Sequence, residues 1–87
     1  MQFHCLKTAS GYYHAVADGS KTFELRRDDR AYAVGDELWL REWTDEEGYS
    51  GSIEIRVVTF VLRNGDPCIG DAIAPGWVIM GLGQPPF

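Results

Sequence analysis

Gly19-Ser20-Lys21-Thr22-Phe23-Glu24-Leu25-Arg26 runs on into Arg27-Asp28-Asp29-Arg30, and its reading decides how the rest of the chain is arranged. From Thr22 to Arg26 the order is polar, apolar, polar, apolar, polar, the period-two signal of a half-buried strand. That alternation predicts Phe23 and Leu25 against a core, with Thr22, Glu24 and Arg26 lining the opposite face. Side chains two apart on one strand stand roughly 7 Å apart, so Glu24 and Arg26 can act on one bound group. Lys21 just precedes the strand, where its flexible ammonium swings over the same place. Two readings stay open. The cluster is a recognition site beside a turn glycine, or it is an exposed strand face whose solvated ion pair contributes about 0–1 kcal/mol.

Towards the N-terminus, Phe3 to Lys7 alternates and predicts an opening strand. Thr8, Ser10 and Gly11 break it, and Ser10 is a candidate helix N-cap. Tyr13, Val16 and Ala17 then fall at i, i+3 and i+4, one face of a short helix over Tyr12–Asp18. Gly19 stands where a left-handed residue ends such a helix.

Beyond Arg30, a Gly35-Asp36 turn leads into a strand over Glu37–Trp43. Leu38 and Leu40 share one of its faces; Trp39, Arg41 and Trp43 share the other. Thr44 to Ser52 reads as an acidic loop joining two antiparallel strands. Ile53 to Leu62 is the longest β-branched run, and from Val57 it is apolar on both faces, which predicts cover by a helix or second layer. Asn64-Gly65-Asp66-Pro67 ends it with turn chemistry. Cys68 to Pro75 is a loop, Trp77 to Met80 a last strand between Gly76 and Gly81, and Gln84 to Phe87 a tail whose prolines lack ladder donors.

These elements predict one mainly β (α+β) domain over residues 1–87, with five or so strands and one short helix after the first. Closing such a sheet into a small barrel removes its exposed edges. Side chains fill a barrel of that size, so a ligand would bind outside it, in the crease between helix and strands.

The chain has 87 residues, 45% of them hydrophobic and 13% aromatic, which favours a compact aromatic core over disorder. Cys5 and Cys68 read as reduced thiols. Neither a basic, apolar leader nor a membrane-length apolar run is apparent, so the expected compartment is the cytoplasm, without membrane association. The net charge of -5 argues against a nonspecific nucleic-acid binder. Residues 20–30, however, carry four cations and three anions, whereas residues 31–47 carry one cation and six anions. A small or short anionic ligand is compatible with that distribution; a long duplex is not.

His4-Cys5-Leu6-Lys7, Gly19 to Arg26, Asp29-Arg30, Val34-Gly35-Asp36, Leu40-Arg41-Glu42, Tyr49-Ser50-Gly51 and Gly76-Trp77-Val78-Ile79 together resemble the DUF3850 group, in the ASCH branch of the PUA-like superfamily. Gly19, Lys21, Glu24 and Arg26 match the G-x-K-x-x-E-x-R pattern of ASCH domains. The resemblance implies a five- or six-stranded β-barrel with a helix before the second strand and a cleft at the signature residues. It also implies RNA-related work: RNA binding, or hydrolysis of modified nucleosides or RNA. The amidohydrolase relatives carry a threonine where this chain has Glu24, which cannot serve as a hydroxyl nucleophile; Thr22 occupies a different position in the pattern.

The residues add their own constraints. His4 and Cys5 are adjacent, hence on opposite strand faces, and no C-x-x-C or H-x-x-x-H pair exists, so neither metal nor cofactor is expected. Spacing suggests no Ser-His-Asp set. Tyr12, Tyr13, Trp39, Trp43 and Trp77 are core by default, with one or two free to form a base-stacking wall. Arg30 and Arg41 either hold loops by pairing with Asp36 or Glu42, or touch a ligand.

The leading expectation is a module that holds a nucleotide, modified base or short single-stranded RNA in the helix–barrel cleft. Its candidate binding residues are Lys21, Thr22, Glu24, Arg26, His4 and Arg30. The alternative is a small hydrolase acting on modified nucleosides or RNA, with Lys21 and Glu24 as catalytic candidates. A third class is a protein-interaction module docking through the acidic Asp45–Gly51 loop.

Overall fold

In the computed structural model, which describes residues 1–85, six elements follow one another. They are β1 (Phe3–Ala9), α1 (Ser10–Ala17), β2 (Phe23–Arg27), β3 (Glu37–Thr44), β4 (Gly48–Arg63) and β5 (Trp77–Gly83). The five strands form one sheet in the order β1-β3-β4-β5-β2. β1 pairs with β3 in parallel and every other neighbour is antiparallel.

The curl of the sheet comes from β4. Its residues up to Val57 pair with β3, and those from Val57 onward pair with β5. A register shift between Val58 and Phe60 marks the bend; an extra residue on one strand sharpens local twist in this way. The result is a curled half-barrel, not the closed barrel the alternation predicted. β1 and β2 are left as its two edges.

The inner face collects Leu6, Leu38, Leu40, Val58, Val78 and Met80, with Val16 of the helix and Tyr32 of the β2–β3 connection. Burying each of these aliphatic side chains contributes about 1.5–3 kcal/mol. Leu38 and Leu40, which the alternation puts on one face, are buried, whereas Trp39, Trp43 and Trp77, expected in the core by default, are only partly buried and Tyr12 is exposed. The helix presents Tyr13 and Val16 to the sheet, while Ala17 is exposed. Arg56 on β4 donates from Nη2 to the Val16 carbonyl at 3.1 Å, which also accepts from the Gly19 amide at 3.2 Å, so the helix end is tied to the sheet. Gly19 adopts φ +85, the left-handed conformation its position called for.

Several expectations need correction. Ser10 is not the N-cap: Ala9 holds that position without a side-chain bond, and the Ser10 hydroxyl donates to Glu42 instead. The acidic loop is shorter than its composition suggested, because β4 already begins at Gly48. Only Asp45, Glu46 and Glu47 connect the strands, and Gly48, the first residue of β4, adopts a left-handed φ of +70. β5 runs on past Gly81 to Gly83. The second half of β4 is not covered on both faces, since Phe60 is 62% exposed. Of the predicted tail, Pro86 and Phe87 lie outside the described residues. No helix among the described residues is long and apolar enough to cross a membrane.

The largest correction concerns β2. Glu24 is opposite Met80 and Arg26 is opposite Val78, and both partners on β5 are fully buried. Residues paired directly across a ladder share a face, so the charged side of β2 points inward. Phe23 and Leu25 point outward and are about half exposed. Alternation located the strand but gave the wrong side to the core.

Candidate functional site: a charged seam between the sheet edges

Between the two edges lies a cavity of about 890 Å³, open to solvent. β1 contributes Leu6 to Ala9, β2 contributes all five of its residues, and α1 contributes Tyr12 and Ala15. Ser20 and Lys21 close one end; Asp29, Arg30, Tyr32 and Trp77 close the other. The crease between helix and strands therefore exists, and Lys21, Glu24 and Arg26 line it, while Gly19 does not.

Glu24 sits at the bottom and is 2% exposed. Its Oε1 accepts from Lys21 Nζ at 2.5 Å and its Oε2 from Arg26 Nε at 2.7 Å. A buried carboxylate requires such partners, since desolvation costs several kcal/mol per ion. The same Arg26 guanidinium reaches across the gap. Nη1 donates to the Lys7 carbonyl at 3.0 Å and Nη2 to Thr8 Oγ1 at 3.0 Å. The Thr8 hydroxyl in turn donates to the Leu6 carbonyl. Arg30 adds a longer bond from Nη1 to the Cys5 carbonyl at 3.3 Å. Where a closed barrel would have a ladder between β1 and β2, this protein has a guanidinium fork.

Four cations of the cavity lining (Lys21, Arg26, Arg27, Arg30) stand against two carboxylates (Glu24, Asp29), a local excess of two positive charges on an acidic chain, while the Lys7 ammonium turns to the Trp43 ring at 3.9 Å, outside the lining. Lys21 spends one donor on Glu24 and lies 5.1 Å from the Tyr12 ring centroid and 5.4 Å from that of Phe23. At the far end the Arg27 guanidinium stacks 4.9 Å over the Trp77 ring. Burial pushes the Tyr32 phenol above its ordinary pKa, with nearby Arg30 and Arg26 opposing the rise.

The other candidates lie elsewhere. His4 is buried, with Nε2 3.0 Å from Asp36 Oδ2, and its ring stands edge-on to Tyr32. Asp36 also accepts from the Gln2 and Ala33 amides. Burial pulls the Asp36 pKa up, but the bonds from His4, Gln2 and Ala33 outweigh it and leave the group below its ordinary value. This pair fastens the start of β1 to the turn before β3. Thr22 is outside the cavity lining, and its carbonyl accepts from Leu82 as an extension of the β2–β5 pairing. Arg30 and Arg41 do not pair with Asp36 or Glu42: Arg41 stacks 3.9 Å over Tyr49.

A second polar cluster escaped sequence reasoning because its members are distant along the chain. Glu42 accepts from Ser10 and Ser50, each at 2.7 Å, and lies 2.8 Å from His14 Nε2. The serine bonds hold the Glu42 carboxyl below its ordinary pKa. Both hydroxyls donate to the carboxylate and neither to the imidazole, so the set has no activated nucleophile. It ties the helix start to β3 and β4. Among the described residues no group of three or more His, Cys, Asp or Glu is placed to hold a metal ion.

The family described as "Domain of unknown function (DUF3850)" matches residues 3–82. The chain belongs to the DUF3850 family. The match takes in both edges of the seam and every residue that lines the cavity. An "Uncharacterized 12.9 kDa protein in GpA 3'region" of Escherichia phage P2 is 34% identical over 56 residues. That alignment covers 64% of this chain and 51% of the phage protein, so it spans about half the length of the curated relative.

Sequence reasoning missed Arg27, which lies just past the Thr22–Arg26 alternation, and Phe23, which it assigned to the core. The signal for Arg27 is a pairing across strands: it is opposite Trp77 on β5. Such a partner is invisible until the register is fixed.

Proposed function

We propose that this protein is a binding module, of ASCH type within the PUA-like superfamily, that holds a nucleotide, modified base or short single-stranded RNA end in the seam cavity. The carrying observation is the convergence of Lys21, Glu24 and Arg26 in one open cavity with a cationic rim. Field lines concentrate in a cleft lined by one sign of charge, which draws anions in despite a negative total. Glu24 and Arg26 spend their bonds on each other and on β1, so in this reading they shape the floor. Lys21, Arg27 and Arg30 retain donors for phosphate or a carbonyl edge. Tyr12 and Phe23 offer exposed rings to a base.

The test is calorimetric titration of the wild type and Lys21→Ala with nucleosides, nucleotides and short RNAs. Sub-millimolar binding by at least one nucleotide or RNA, weakened at least tenfold in the variant, is expected. Failure of all of them to bind at millimolar concentration would overturn the proposal. The hydrolase alternative is separated by turnover of acylated nucleosides or RNA that disappears in Lys21→Ala.

A further inference from the structure

The cavity has an aromatic platform at each end. At one end Tyr12 and Phe23 flank the Lys21 ammonium; at the other the Arg27 guanidinium lies on Trp77. β2 connects them and has five residues, Phe23 to Arg27. At about 3.4 Å per residue its ends are roughly 13 Å apart, farther than one stacked base extends. A cation stands at each end, Lys21 and Arg27, and Arg30 also lines the cavity. Flat groups at two separated points with a cation beside each suit a strand whose bases alternate with phosphates.

Resting on the binding function proposed above, we infer that the ligand is single-stranded RNA of two or more nucleotides laid along the seam, one base on each platform. The Tyr12–Phe23 end takes one base and the Arg27–Trp77 end takes another, since aromatic rings and guanidinium planes both stack bases without demanding a sequence. The phosphate between them lies in the field of Lys21 at one end and Arg27 at the other. A mononucleotide fills one platform and leaves the other empty.

The experiment is a calorimetric titration with adenosine monophosphate and oligoadenylates of two, three and four nucleotides. It compares the wild type with Tyr12→Ala, Arg27→Ala and Arg27→Lys. Tyr12 and Arg27 are exposed, so these variants keep the core, and circular dichroism checks that they do. The affinity is expected to rise about tenfold or more from one nucleotide to two or three, then level off. Tyr12→Ala and Arg27→Ala each remove that rise. Arg27→Lys, which keeps the charge but lacks the stacking plane, behaves like Arg27→Ala. Equal affinity for all lengths, or a rise that survives in both alanine variants, overturns this inference while binding in the cavity stands. No binding by any member overturns both.

Discussion

Glu24 and Met80 face each other across the β2–β5 ladder, one a carboxylate and the other a core thioether, and both are sealed from water. The carboxylate tolerates that position because Lys21 and Arg26 each place a nitrogen against it, one per oxygen. Removing a charge from such a set leaves its partners uncompensated.

Glu24→Gln keeps the shape and removes the charge. Lys21 and Arg26 both retain some access to water, which softens the loss. The expected cost is about 2–3 kcal/mol of stability, read as a lower urea midpoint with an unchanged slope. A stability equal to wild type would mean the triad contributes no net fold energy.

Arg26→Lys should open the seam, because an ammonium cannot reproduce the fork that contacts Glu24, the Lys7 carbonyl and Thr8 at once. Amide hydrogen exchange is expected to quicken in β1 and β2 and to stay slow in the β3–β4 hairpin. Uniform acceleration through all five strands would show that Arg26 supports the whole core and not the edge junction.

Asp36 governs part of the acid limb. Its folded-state pKa lies below the ordinary 3.8, so its contribution is present above that pH and is lost as pH falls through the folded value. Urea midpoints from pH 6 to pH 2 should fall below about pH 4 in the wild type. In Asp36→Asn the midpoint is lower at pH 6, and the drop on acidification is shallower. An equally steep drop in the variant would assign the acid limb to other carboxylates, Glu42 first among them.

Gly83 and Thr59 meet at the bulge of β4. A Cβ at Gly83 would approach Thr59 Cγ2 to 2.7 Å, closer than real contacts allow. Gly83→Ala should cost about 1–3 kcal/mol, and adding Thr59→Ala should restore part of it. A double-mutant cycle with no coupling between the two positions would contradict the packing described at the bend.

The strand β2, the short helix and its Gly19 terminus were legible because each rests on local periodicity or a local φ requirement. That Leu38 and Leu40 share a face was legible for the same reason, but not that this face is the buried one, because the other carries Trp39 and Trp43. The orientation of β2 was not. An edge strand facing a cavity can carry its charges inward, and only the pairing of Glu24 with Met80 reveals which side that is. The half-barrel was hidden too, because its closure depends on Arg26 reaching β1, 18 residues away at Thr8. Convergence of Lys21, Glu24 and Arg26 was readable, being confined to six residues; the roles of His4 and Asp36, 32 residues apart, were not.

The most direct measurement is a titration of the isotope-labelled protein with a short oligoadenylate, following backbone amide resonances. The largest shifts are expected at residues 7–9, 20–27 and 30, where the two edges and Lys21 meet, and they should weaken in Lys21→Ala. No shifts at millimolar ligand, or shifts concentrated at the Asp45–Glu47 turn or around Phe60, would contradict the account.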